Sequence, residues 1–205
     1  MICDLQLNFG NESTLYAARV AAEQSGLSSV LVSTEMIVGS RMRFDLSLFA
    51  PSVLAGEFLE AHSEEISEIK FEVSPSLRPN IQPSYLDKSS FKALTRIGDC
   101  LVSIKRNMLW GLPIVLGLGQ HNNRPAPTEI AGMLWRWNAR CGARVVRLDV
   151  DGLVAVRENQ FESLQTSADT AKEHLSFNHE LFNEYSADEY FSYICNSRVW
   201  KFWWD

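Results

Sequence analysis

In VWKFWWD, residues 199–205, four of the seven side chains are aromatic. Because successive side chains of a β-strand point to opposite faces, one face of this segment is wholly aromatic and comprises Trp200, Phe202 and Trp204. The opposite face is only partly apolar. Each Trp or Phe can bury ~150–250 Å², which ties a chain end to a core. We therefore expect a strand inserted into the sheet and not hung on its edge.

The composition is that of one folded domain. The 205 residues are 46% hydrophobic and 21% charged, which is ordinary for a globular chain, and we expect a single α+β unit over 1–205. The net charge of -6 argues against a nucleic-acid partner, because binding to phosphates requires a cationic surface. The densest basic run is only Lys105-Arg106.

Neither a membrane span nor an export signal is predicted. No apolar run approaches the ~20 residues that cross a bilayer, and the segment MICDLQLNFG lacks the features of a secretory signal. We therefore expect a cytoplasmic protein with reduced thiols. The cysteines are dispersed and form no C-x-x-C pair, so the sequence predicts free, buried thiols and no metal site. They are Cys3, Cys100, Cys141 and Cys195. No cofactor is predicted, because G-L-G-Q-H-N lacks the third glycine of a dinucleotide fingerprint and no P-loop lysine follows it.

Periodicity predicts the elements of the N-terminal half. These are a helix over 13–25, a strand over 28–34, a helix over 52–66 and an edge strand over 69–73. A proline-bearing loop follows over 74–87, and we expect 35–87 to form an insertion or a lobe. One face of the 52–66 helix is acidic and is either a solvated face or a binding surface. It carries Glu57, Glu60, Glu64 and Glu65.

The C-terminal half shows sharper signals. A short helix over 88–97 and a strand near 100–105 precede PIVLGLG, residues 113–119, which reads as a buried central strand. After a helix from Thr128 to Gly142, Asp151-Gly152 predicts a type I′ hairpin turn between strands 143–150 and 153–157. Capping patterns at Thr166 and Ser186 then predict a helix over 168–185 and a last short helix. The predicted class is α+β, a mixed sheet with packed helices closed by the aromatic strand.

Four features of this half point to a known family. They are the W-R-W of 135–137, the Gly142-Ala143-x-Val145 entry into a strand, Glu173-His174-x-x-Phe177, and the terminal W-x-F-W-W-D. On these features the chain resembles the bacterial domain-of-unknown-function family number 4253. The resemblance implies a family-like core over 110–205 and carries no established activity. The family pattern places Cys and then Asp after the Phe, where this chain has Asn178, His179 and Glu180.

Two polar clusters are candidate sites. In EHLSFNHE (173–180), Glu173 or His174 is either a general base or a buried, hydrogen-bonded group. In GLGQHNNRPAP (117–127), the polar run follows the predicted strand 113–119, where α/β sheets often bind ligands, or it is a polar surface loop. The candidate side chains of this run are His121, Asn122 and Arg124.

The sequence favours a non-enzymatic interaction module, of the immunity or antitoxin type, whose acidic surface binds a basic protein partner. The alternative is an enzyme or small-ligand binder with a site formed by the 120–124 loop and Glu173/His174. A further choice concerns the terminal aromatic side chains, which either pack in the core or form an exposed ligand platform. They are Trp200, Phe202, Trp203 and Trp204.

Overall fold

The computed structural model describes residues 2–37, 43–76, 88–118 and 125–204. The strands are β1 (Ile2–Asp4), β2 (Gln6–Phe9), β3 (Leu27–Ser33), β4 (Arg43–Asp45), β5 (Asp99–Lys105), β6 (Ala143–Asp149), β7 (Gly152–Arg157) and β8 (Val199–Trp203). The helices are α1 (Glu12–Gln24), α2 (Thr34–Ile37), α3 (Pro51–Ala61), α4 (Ser63–Glu68), α5 (Lys88–Leu94), α6 (Leu112–Leu116), α7 (Pro127–Cys141), α8 (Leu164–Phe177), α9 (Leu181–Glu184) and α10 (Ala187–Asn196). Short 3₁₀ helices span Leu46–Leu48 and Arg106–Gly111. None of the helices in these ranges is both long and apolar enough to cross a bilayer.

The main sheet has six strands in the order β2-β5-β3-β6-β7-β8. The pair β3–β6 is parallel and the other neighbours are antiparallel. A second, two-stranded sheet pairs β1 with β4. The predicted α+β class with a mixed sheet is therefore confirmed.

Helices cover both faces of the sheet at β3, which explains why three consecutive apolar residues of this strand, 30–32, are all buried. Val30 and Val32 point into the main core, whereas Leu31 points to a smaller core. That smaller core is built with side chains of α1, α5 and β5, namely Leu15, Phe91 and Leu101.

The terminal strand lies at the edge of the sheet, and the prediction that it is internal was wrong. Among the described strands β8 pairs with β7 alone. The prediction of its faces was right, because Trp200 and Phe202 are buried, as is Trp204 beyond the strand end, while Lys201 is exposed. Side chains of α7 and α8 pack on the aromatic face and bury it, so the burial does not require a second neighbouring strand.

The apolar run 113–119 does not form the predicted central strand. Residues Leu112–Leu116 form the short buried helix α6. Pro113 sits in its first turn, where a missing N–H costs nothing, and Gly117 ends it in the left-handed region at φ 70°. A short apolar run fits a buried strand or a buried helix equally well, so periodicity could not separate the two.

The predicted edge strand over 69–73 is irregular chain. The backbone N–H groups of Glu72 and Val73 donate to the Asp188 carboxylate at 2.9 and 3.1 Å, so a side chain takes the place of a strand partner.

The predicted helix 168–185 is two helices in the structure. Its first part, α8, begins after Ser163, whose hydroxyl accepts from the Thr166 N–H at 3.0 Å, and the separate helix α9 follows.

The β6–β7 hairpin forms, but its turn is shifted by one residue from the prediction. Asp149 pairs with Gly152, which leaves Val150 and Asp151 as the loop. Gly152 lies in β7 with an ordinary φ. A Cβ added there would lie 2.5 Å from the carbonyl oxygen of Phe202. Glycine is required here because β8 approaches closely, not because the turn needs positive φ.

Helix α3 crosses α7 at Gly132 with almost no space between the two backbones. A Cβ on Gly132 would lie 2.5 Å from the backbone N of Ala55 and 2.7 Å from the carbonyl carbon of Leu54. Since these are backbone atoms, they cannot move aside as a flexible side chain can. The glycine therefore fixes how closely the N-terminal half packs on the C-terminal half.

Gly132→Ala is expected to lower the free energy of unfolding by about 1–3 kcal/mol, the usual cost of overpacking. Gly56→Ala is the matched control, because a Cβ at that exposed position of α3 meets nothing within 4 Å. The control should gain about 0.5–1 kcal/mol from the better helix propensity of alanine. Urea unfolding measures both variants, and a similar effect of the two substitutions would contradict the close contact.

Candidate functional site

Trp137 lies at the centre of an aromatic cluster between α7, α8 and β8. Its ring stacks on Phe202 with a centroid distance of 5.4 Å and an interplanar angle of 8°. Phe177 and Trp200 meet it edge-on at 5.1 and 6.2 Å. The motif residues that identified the C-terminal half thus converge on one buried contact.

Glu173 is 3% exposed and is held by groups from α7. Its carboxylate accepts hydrogen bonds from Nε1 of Trp137 at 3.0 Å, from Nε of Arg136 at 2.9 Å and from Nη2 of Arg140 at 2.9 Å. A buried carboxylate needs such charge-assisted partners to offset the loss of hydration. Two guanidinium groups on one carboxylate leave a local excess of positive charge.

His174 is fully buried among aromatic rings. Its Nδ1 lies 2.9 Å from the Tyr190 hydroxyl, and its ring contacts Trp137 and Trp200 at 4.3 and 4.5 Å. No described residue bonds its Nε2. Burial first, and then the charge of Arg140, hold the pKa of His174 well below its usual range. The ring is therefore a neutral imidazole enclosed in the core.

The lowered pKa of His174 predicts acid sensitivity. Below about pH 6.5 His174 of the unfolded chain binds a proton, whereas the buried imidazole of the folded chain stays neutral. Protonation therefore favours the unfolded state, and the free energy of unfolding falls as the pH drops below about 6.5. We expect the free energy of unfolding to fall by about 1.4 kcal/mol per pH unit from this group. Urea unfolding as a function of pH measures the slope.

His174→Phe should remove this part of the slope, whereas His179→Gln, at an exposed position, should retain it. NMR of the parent gives a second measurement that does not depend on a variant folding. The His174 ring signals should not titrate near pH 6.5, and a normal titration would contradict the enclosure.

The other predicted cluster, His121, Asn122 and Arg124, lies outside the described residues. Of the terminal aromatic residues, Trp203 is half-buried and packs against the main core. Sequence reasoning missed the two arginines that hold Glu173. Their spacing was the available signal, because Arg136 and Arg140 at i and i+4 share one face of a helix.

A cleft of about 310 Å³ opens beside the Glu173 carboxylate. Leu59 and Ile66 form its apolar side. The charged lining residues are Arg136, Asp169, Lys172 and Glu173. Arg136 is one-third exposed, so its guanidinium can contact a solute while it remains bonded to Glu173.

The outer faces of α3 and α4 form a second candidate region, which we call the acidic face. Val53, Glu57 and Glu60 recur at i, i+4 and i+7 and are all exposed, with Val53 54% exposed. Glu64 in α4 is also exposed. Glu65, which the sequence grouped with them, is instead directed toward the end of α8.

Glu65 bridges α4 to the end of α8. One carboxylate oxygen lies 3.2 Å from Nδ1 of His62 and accepts from the Ser176 hydroxyl at 3.1 Å, and the other lies 3.2 Å from Nε2 of His179. The acidic face is thus defined by Val53, Glu57, Glu60 and Glu64.

The buried cysteines Cys100, Cys141 and Cys195 are weak nucleophiles. Burial raises the pKa of Cys100 to about 11 and that of Cys141 to about 12, so both are thiols at neutral pH. Cys195 is likewise buried and free. In the described ranges no three His, Cys, Asp or Glu side chains are grouped to hold a metal ion.

Comparison with known proteins gives one family. The model of a family described as "Domain of unknown function (DUF4253)" matches residues 100–205, slightly more than half of the chain. This confirms the resemblance drawn from the sequence motifs. No curated protein and no solved structure matches the chain.

Proposed function

The chain belongs to the DUF4253 family, and we propose that it is a non-enzymatic interaction module that binds a basic protein partner through the acidic face. The exposure of Val53 beside Glu57 and Glu60 is the observation that carries this proposal. An apolar side chain among carboxylates offers a partner both a desolvated contact and a charge pattern to match.

The burial of His174 and Glu173, the candidate general bases, supports the same proposal. His174 is sealed among aromatic rings, and the Glu173 carboxylate is occupied by Arg136, Arg140 and Trp137. A general base must reach the proton that it removes. His174 is enclosed, and the carboxylate of Glu173, although it borders the cleft, is already held by three donors. Their arrangement fits a structural role in the C-terminal core.

The net charge of -6 supports a basic partner, because opposite charge steers encounter and suppresses wrong pairings. A small acidic module that occupies a basic surface is the arrangement expected of an immunity or antitoxin protein. The more specific version of our proposal is therefore that the module is of the immunity or antitoxin type.

A second candidate function is binding of a small anionic ligand beside Glu173. The cleft is lined by Arg136 and Lys172 together with the carboxylates of Asp169 and Glu173. Arg140 also binds Glu173, so three basic side chains stand beside two carboxylates and favour this candidate. Inorganic phosphate is the probe, and NMR shifts of the Arg136 side chain that saturate with phosphate would support it. Absence of saturation would remove this candidate.

The leading proposal predicts that capture of a partner depends on the acidic face. Immobilised parent protein and the double variant Glu57→Lys/Glu60→Lys are compared for proteins retained from the native host. The charge reversal should reduce capture of the partner at least tenfold, because rim charges chiefly govern association and its salt dependence. The recovered partner should be basic.

The matched control is Glu162→Lys/Glu184→Lys, which makes the same change in net charge at exposed positions outside the acidic face. Capture should survive in this control. Equal loss in both double variants would indicate attraction by net charge alone, and retention in both would contradict the role of the acidic face.

A further inference from the structure

A separate cavity of about 180 Å³ lies between the 3₁₀ helix Arg106–Gly111, α7 and the start of β6. Its inner wall is apolar and includes the buried Trp110, Leu134 and Val145. Trp135, the first residue of the W-R-W motif, lines it and is half-buried. Since a cavity of about 150 Å³ accommodates a benzene ring, this one has room for a single ring with a small substituent.

The exposed lining residues are polar and therefore mark the opening of the cavity. They are Arg106, Asn107 and Asn138. The indole N–H of Trp110 donates to the backbone oxygen of Asn107 at 3.1 Å, so this ring presents no unsatisfied donor to the cavity. One amide hydrogen of Asn138 is given to the Ala143 carbonyl at 3.0 Å, and the other is available to a ligand.

The opening carries more positive than negative charge. The carboxylate of Glu158 is shared by Arg106 at 2.5 Å and Arg144 at 2.6 Å. The side chain of Arg144 is 10% exposed, whereas that of Arg106 is 58% exposed. Arg106 can therefore turn to an anionic ligand while Arg144 stays on Glu158, so no carboxylate is left unpaired.

We propose that this cavity binds a small monocyclic aromatic acid, with the ring against Trp110 and Trp135 and the carboxylate on Arg106. Flat indole surfaces favour a planar ring over a puckered one, because aromatic pairs gain energy beyond the area that they bury. A guanidinium can bind a carboxylate through two parallel hydrogen bonds, which fixes the orientation of the acid. The amide groups of Asn107 and Asn138 would hold the ring substituent at the opening.

Benzoate is the probe, and NMR of the full-length, isotope-labelled protein is the readout. Benzamide has the same shape without the charge, and cyclohexanecarboxylate has the charge without a planar ring. Benzoate should shift the indole N–H signals of Trp110 and Trp135 and bind about tenfold more tightly than either analogue. Benzamide lacks the charge that pairs with Arg106, and cyclohexanecarboxylate lacks the planar ring that packs on the indoles.

Arg106→Gln should weaken benzoate binding about tenfold and leave benzamide binding unchanged. Arg96→Gln is the matched control, because Arg96 is also exposed and pairs with Asp149 at the opposite end of β6. It should leave both affinities unchanged. Trp135→Leu should weaken benzoate and benzamide alike, which separates the contribution of the ring from that of the charge.

The amide spectra of the variants establish that they are folded before affinities are compared. The proposal is overturned if neither indole signal moves up to the solubility limit of benzoate. It is also overturned if the parent binds benzoate and benzamide equally, or if Arg96→Gln reduces benzoate affinity as much as Arg106→Gln does.

Discussion

The hydrogen bond from the indole N–H of Trp137 to the buried carboxylate of Glu173 joins α7 to α8, and the C-terminal half is arranged around it. With its polar edge fixed, the indole can lie flat on Phe202 of β8. Phe177, one turn after Glu173 on α8, then meets the same ring edge-on. Removing one partner of a buried charge costs about 3–5 kcal/mol, so Glu173 and its donors hold together as a set.

The N-terminal half completes the sheet of the family segment, by which we mean the matched residues 100–205. In the strand order β3 lies between β5 and β6, so the matched range 100–205 alone would leave a gap at the centre of the sheet. Arg147 on β6 reaches past the end of β3 to the Asp99 carboxylate on β5 at 2.5 and 3.0 Å. Together with the contact at Gly132, this makes β3 and α3 parts of the structure on which the family segment depends.

Sequence patterns predicted the elements whose signals are local. Alternation gave the buried face of β8, and the capping pattern at Ser186 gave the start of α10, where the hydroxyl accepts from the Glu189 N–H. Several of the failures depend on contacts distant in sequence. The segment 69–73 is held by Asp188, and Gly152 is needed because Phe202 approaches it. The edge position of β8 reflects strand order, which alternation does not report.

At the candidate site, too, the sequence showed the local pattern but not the contacts made by distant residues. A Glu-His pair on a helix was recognisable as polar groups beside an apolar face, but its role depended on what α7 presents to it. Trp137, Arg136 and Arg140 bind Glu173, and the rings around His174 exclude water, so these groups stabilise the core.

Charges that a fold has already neutralised by burial and pairing offer little to a ligand or partner. Those left in excess at the surface are the ones that can still gain from binding. In the described ranges they include the carboxylates beside Val53 and the guanidinium of Arg106, which shares Glu158 with Arg144. One is acidic and faces solvent, and the other is basic and stands at a cavity of single-ring size, so a partner of one kind cannot satisfy both.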